Sequence, residues 1–144
     1  MVLSEFVLNP EEPQRKAKLL VKLEHLVESS IAEQQGIRGL AIKGAVMSVQ
    51  KVRPDAIPFA LSLALSDILR ALDPYWEAKD TAFGSYLESR KDEVTADLLA
   101  VVDRLAADKG GSAERTFQAV RGRAKTIVEN HVSDLGEIVE ESTK

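Results

Sequence analysis

An all-α fold, a compact bundle of about six or seven helices with some of them short, is what this sequence predicts. Two observations carry that expectation. Apolar residues recur at i, i+3, i+4 and i+7 through most of the chain, and no convincing run shows the apolar–polar alternation of a half-buried strand. The main breaks in that periodicity fall at Asn9-Pro10, Gly36, Arg53-Pro54 and Gly110-Gly111-Ser112, residue types that cap or end helices. A third observation bounds the size. The chain has 144 residues, and a domain of that length buries about 68–70% of its unfolded surface, enough to stand without a disulfide or metal. A single helical domain over residues 1–144 is expected, because no linker longer than a helix connection interrupts the pattern.

The elements follow in order. Residues 3–8 open with a short helix that places Leu3, Phe6 and Val7 together. Asn9-Pro10 reads as a cap and a proline at a first helical position. The next helix is expected from about Pro10 to Gln34, with Leu19, Leu20, Leu23, Leu26, Val27 and Ile31 as its stripe and Gly36 as its stop. A third helix spans about residues 37–52. Its Ala41, Gly44, Ala45 and Ser48 share one face, where a neighbouring helix can approach closely. A glycine inside a helix costs about 1 kcal/mol against alanine, and such packing would offset it.

The fourth helix begins near Pro54 or Asp55, since proline is tolerated in a first turn. Ile57, Leu61, Ala64, Leu65, Ile68, Leu69 and Leu72 make it the candidate central helix. Asp73-Pro74 is expected to stop it, or to reopen a short helix through Tyr75 and Trp76. Residues 81–89 form another short helix carrying Phe83, Tyr86 and Leu87. Ser89 with Asp92 resembles a capping box for a helix reaching about Lys109, striped by Val94, Leu98, Val101 and Leu105. Ser112 is placed to cap the next helix, through Phe117, Val120, Ala124, Ile127, Val128, His131 and Val132. Ser133-Asp134 then restarts a last one carrying Leu135, Ile138 and Val139.

Few chemistries fit the composition. The sequence holds no cysteine and two histidines, which removes disulfides, thiol catalysis, iron–sulfur clusters and every cysteine-based zinc site. His25 with Glu28 supplies two ligand types at helical spacing and no third, so a solvated face is the plainer reading. His131 lies on an apolar stripe. The glycines at 36, 39 and 44 match no phosphate-binding loop, and Gly84-Ser85 is not a nucleophile elbow. No catalytic, cofactor or metal residue is assigned, and no cofactor is expected. The opening residues lack a secretory pattern, and the apolar stretch at residues 56–72 is interrupted by Pro58, Ser62, Ser66, Asp67 and Arg70, short of the about 20 residues of a membrane span. A soluble, cytoplasmic protein is expected.

Charge is unevenly distributed. The net charge is −4. Yet residues 36–54 hold Arg38, Lys43, Lys51 and Arg53 with no acid, and residues 112–128 hold Arg115, Arg121, Arg123 and Lys125 against Glu114 alone. The tail from residue 129 is acidic. The basic segments are read either as contacts for an anionic partner or as partners of acidic faces of this chain or a second copy. Trp76, with Tyr75, Phe83 and Tyr86, belongs to an aromatic cluster that is a core plug or a ligand patch.

Several stretches carry a resemblance. Residues 36–54, with Ile42-Lys43-Gly44 and the closing Val52-Arg53-Pro54, are similar to a motif of short all-helical actinobacterial proteins. So are Leu3-Ser4-Glu5-Phe6, Phe83-Gly84-Ser85-Tyr86-Leu87 and the segment from Val94 to Arg104. The resemblance implies an all-α fold and a domain of unknown function, with no catalytic or binding residues to carry over.

The functional expectation is therefore a non-enzymatic helical protein acting by protein–protein association, as a homodimer or on another partner. Leu98, Val101, Leu105, Ile127, His131, Leu135 and Ile138 are the expected interface. The alternative is a module for a small apolar or anionic ligand or a lipid, its rim formed by Arg38, Lys43, Lys51, Arg53 and Trp76. Nucleic acid is the less favoured partner, because no aromatic stacking platform is interleaved with the cations.

Overall fold

The computed structural model describes residues 2–144, and among these residues seven helices and no strand are present. They are α1 (Leu3–Val7), α2 (Pro13–Ala32), α3 (Gly36–Val52), α4 (Ala56–Ala78), α5 (Phe83–Ser89), α6 (Lys91–Lys109) and α7 (Gly111–Glu141). The all-α expectation holds, and among the described residues no helix is long and apolar enough to cross a membrane. One hydrophobic cluster joins six of the seven helices. Leu3 and Val7 enter it from α1, Leu19 and Leu23 from α2, and Leu65, Leu69, Leu72 and Tyr75 from α4. Phe83 and Leu87 of α5, Val94 and Leu98 of α6, and Val132 and Val139 of α7 complete it. The central role expected of the fourth helix is visible in the four residues it supplies.

Polar clamps fix the helices at chosen points. Ser4 donates its backbone N–H and its hydroxyl to the two oxygens of Asp73, at 2.8 and 2.6 Å, tying α1 to α4. Tyr75 donates its hydroxyl to Asp97 at 2.6 Å, tying α4 to α6. Burial and the Asp97 carboxylate together hold the Tyr75 proton well above the ordinary tyrosine range. Arg121 forks onto Asp103 with two bonds of 2.9 Å, joining α7 to α6.

Five local expectations are overturned. Asn9-Pro10 does not open the second helix, which starts at Pro13 behind Glu12. The fourth helix does not stop at Asp73-Pro74; Pro74 lies inside α4, which runs on to Ala78. A proline inside a helix costs about 3 kcal/mol or more. Here the turn beyond it is held by the buried, hydrogen-bonded Tyr75 and by Trp76, packed edge-on against Phe83 at 4.9 Å. Ser89 does not cap α6, because its hydroxyl is turned back to the Tyr86 carbonyl and Arg90 occupies the cap position. Ser112 does not cap α7 either: that helix starts at Gly111 from a Gly110 at φ +62°. No restart occurs at Ser133-Asp134. The 31-residue α7 is continuous, since Val132, Leu135, Ile138 and Val139 keep one helical register against the core.

The closest helix crossing is made by two glycines that sequence periodicity does not pair. A Cβ on Gly136 would stand 2.5 Å from the Gly84 Cα, and one on Gly84 would stand 2.7 Å from the Ser133 carbonyl oxygen. At this point α5 meets α7 backbone to backbone. Phe83 is fully buried beside the crossing.

Candidate interaction surface

The helix that contributes nothing to the shared cluster is α3. Its start is set by Gly36 at φ +74°, a left-handed turn that suits glycine. Gly39 then passes so close to Gln34 that a Cβ there would lie 2.7 Å from the Gln34 carbonyl carbon. Its end is set by Arg53, extended as residues before proline prefer to be. Between these stops, only Gly39 and Ile42 are buried. The helix lies along α7 with lighter contact to α2.

The outer face of α3 is apolar and open. Ile37 is 88% exposed, Leu40 69%, Met47 61% and Val52 89%. Helical spacing sets these residues on one side, with Ala41, Gly44, Ser48 and the exposed Lys51 between them. Large apolar residues scattered singly on a surface need no explanation, but several along one helix face do. No helix of this chain packs closely on the small residues: Ala41, Gly44 and Ser48 are exposed, and a Cβ on Gly44 would meet nothing within 4 Å. Beside this face, a groove of about 400 Å³ runs between α2, α3 and the start of α4, lined by Glu28, Ile31, Val46, Met47, Gln50 and Ile57 among others.

The cations of both segments are paired only in part: on α7, Arg115 and Arg123 have no ion partner among the described residues. Among the described residues, no carboxylate lies within ion-pair distance of Arg38, Lys43 or Lys51. Arg53 is turned away, paired with Asp55 at 3.0 Å and stacked over Phe59 at 3.5 Å. On α7, Arg121 is spent on Asp103, whose carboxyl it holds below the ordinary range, and Lys125 reaches Glu129. The two basic segments are neighbours. His131 of α7 approaches Glu33 at the head of α3, and Lys109, just before α7, shares the Phe59 ring with Arg53 at the foot of α3. The helices therefore run antiparallel.

The expected interface on α6 and α7 is corrected by burial. Leu98 and Val101 are 8% and 2% exposed, and Leu135 and Ile138 pack against the shared cluster. Leu105 and Ile127 are partly covered, and His131 sits 2.9 Å from Asp134. The stripe they form is the inner seam where α6 and α7 meet each other and the core. The expected ligand rim is also divided. Arg38, Lys43 and Lys51 are spread around α3, with Lys43 on the groove and Arg38 on the opposite flank, whereas Trp76 lies near the other end of α4, against Phe83 and under the Lys79 ammonium. Twenty helical residues separate Ala56 from Trp76, about 30 Å of rise. Sequence periodicity misses the outward face of Ile37, Leu40, Met47 and Val52. A signal for it is present in α3, which is apolar on more sides than one helix can bury.

The family profile of DUF6918, a family of unknown function, matches residues 4–143. The chain belongs to that family. The family match thus extends past the resembling stretches of residues 3–104 and takes in α7. No curated protein and no solved structure matches this DUF6918 member.

Proposed function

We propose that this protein is a non-enzymatic association module and that its contact is the outer face of α3, in place of the α6–α7 stripe. The observation that carries the reading is the exposure of Ile37, Leu40, Met47 and Val52 on a helix that stands outside the shared core. Binding rather than catalysis fits the titrating groups. Those displaced from their ordinary range, Tyr75, Arg90, Glu93, Asp103 and Arg121, are each explained by burial or by a neighbour within the fold. The absence of cysteine from the sequence supports a cytoplasmic setting for the association.

A photoreactive residue placed at position 40 or 47 tests the reading in living cells, with positions 14 and 88 as exposed polar controls. Cross-links to a partner protein from 40 and 47 alone are the expected result. Equal yields from the controls, or none from α3, overturn it. A second reading rests on the unpaired Arg38, Lys43 and Lys51, which with the apolar face suit an anionic lipid surface. Co-sedimentation with vesicles containing anionic lipid, lost on neutral vesicles, is its signature.

A further inference from the structure

We propose that the occupant of the α3 face is an amphipathic helix of another protein, apolar along one stripe and acidic beside it; this rests on the association reading and names the chemistry of its partner. Relief is the first argument. Ala41, Gly44 and Ser48 leave the middle of the exposed face low, and Ile37, Leu40, Met47 and Val52 stand around it. A Cβ on Gly44 would meet nothing within 4 Å, so a second helix can approach the α3 backbone there and seat its side chains between those of α3. Met47 belongs both to the face and to the groove beside it, whose apolar lining includes Ile31, Val46 and Ile57. Face and groove together have the relief that receives an amphipathic helix through apolar residues at i, i+3, i+4 and i+7. An extended segment has no sheet edge to join, since no strand is present among the described residues.

Charge is the second argument. Residues 36–54 hold Arg38, Lys43, Lys51 and Arg53 and no acid. By helical spacing Arg38 stands on one flank of the face, Lys43 on the groove flank, and Lys51 within the face towards its foot. Arg38 and Lys51 are exposed, and among the described residues neither has an ion partner. Thirteen residues separate them, about 20 Å of rise. A partner helix lying along α3 meets both through carboxylates set beside its apolar stripe, one towards each end. Complementary charge of this kind decides partner choice more than affinity.

The same details favour a helix over a lipid surface. A bilayer has to take in the Lys51 ammonium among apolar side chains, whereas a carboxylate meets it where it stands. A bilayer also leaves the groove of about 400 Å³ unfilled and sets anionic headgroups against the exposed Glu28 on its wall. An apolar side chain of a helix fills that groove without adding charge beside Glu28. Length sets the strength. The 17 residues of α3 span about 25 Å, so the contact belongs to the small, transient class below about 1,200 Å². Micromolar dissociation and a marked salt dependence follow.

Fluorescence anisotropy with three synthetic helical peptides is the test. One carries a leucine stripe flanked by glutamates, one the same stripe flanked by lysines, and one the glutamate peptide in scrambled order. The glutamate-flanked peptide is expected to bind about tenfold more tightly than the other two, an advantage that salt reduces. Leu40→Asp should abolish binding with the thermal midpoint unchanged, since Leu40 lies outside the core. Arg38→Glu combined with Lys51→Glu should reverse the preference towards the lysine-flanked peptide. No binding of the glutamate-flanked peptide, equal affinity for the lysine-flanked one, binding that survives Leu40→Asp, or a preference unmoved by the double exchange each overturns the proposal. The cross-linking experiment separates the two levels: adducts from positions 40 and 47 that map to an acidic amphipathic helix of another protein support both. Adducts that map to a basic or non-helical segment, or that have twice the chain mass, retain the association reading and overturn this partner. Binding to anionic vesicles that the double exchange removes, with no peptide bound, overturns it in favour of lipid.

Discussion

Three glycines, alike in the sequence, sit in opposite circumstances. Gly84 and Gly136 stand where α5 and α7 cross, with less room than a methyl group needs. Alanine at Gly136 forces the two backbones apart around the buried Phe83. We expect Gly136→Ala to lower stability by about 2 kcal/mol or more, in the range of overpacking and backbone shifts, measured by urea denaturation. Gly44 has open space instead, and Gly44→Ala should raise the stability of the monomer by up to about 1 kcal/mol through helix propensity alone. Periodicity cannot distinguish these cases, because a glycine carries no side chain whose partner could be guessed. Only the crossing partner, 52 positions along the chain from Gly84, decides the sign.

At the scale of elements, much was legible. The stripes of α2, α4 and α6 follow the expected spacing, and the helix ends at Gly36, Pro54 and Gly110 fall where backbone conformation dictates. Two failures share a cause: tertiary contacts outweigh local signals. Pro74 is carried through by Tyr75 and Trp76, and Ser133-Asp134 is overridden by the apolar register on both sides of it. The α6–α7 stripe reads as an outer contact in sequence because a stripe does not say what it faces. The α4–α6 clamp allows a pH test. The folded state keeps the Tyr75 proton above the ordinary tyrosine range, so the unfolded chain loses that proton first as pH rises. This contribution to stability is complete below about pH 10 and declines above it. Tyr75→Phe should therefore be less stable at neutral pH, by about 1 kcal/mol for the lost hydrogen bond, and its stability should fall less steeply between about pH 10 and 12. Equal alkaline slopes would falsify the role assigned to Tyr75. At the acid end, Asp103 is held below its ordinary range by Arg121, so its contribution is present above about pH 4 and is lost as pH falls through the lower folded value. Arg121→Gln should flatten that acid limb in pH-dependent denaturation.

For the molecule as a whole, the net charge of −4 conceals a division between a basic flank, where α3 lies beside the first part of α7, and the acidic end of α7. The flank is also the part least anchored. Six helices share a core and α3 does not, so its opening exposes little buried apolar surface, and the free energy of local opening follows that burial. Amide hydrogen exchange should find α3 protected far less than α4 in dilute solution, with α4 exchanging only near global unfolding. Met47→Asp places a charge on the outer face without touching the core, and it should leave the exchange of α4 unchanged. If α3 exchanges as slowly as α4, it is bound into the fold by contacts other than those described, and its apolar face is not held in reserve for a partner.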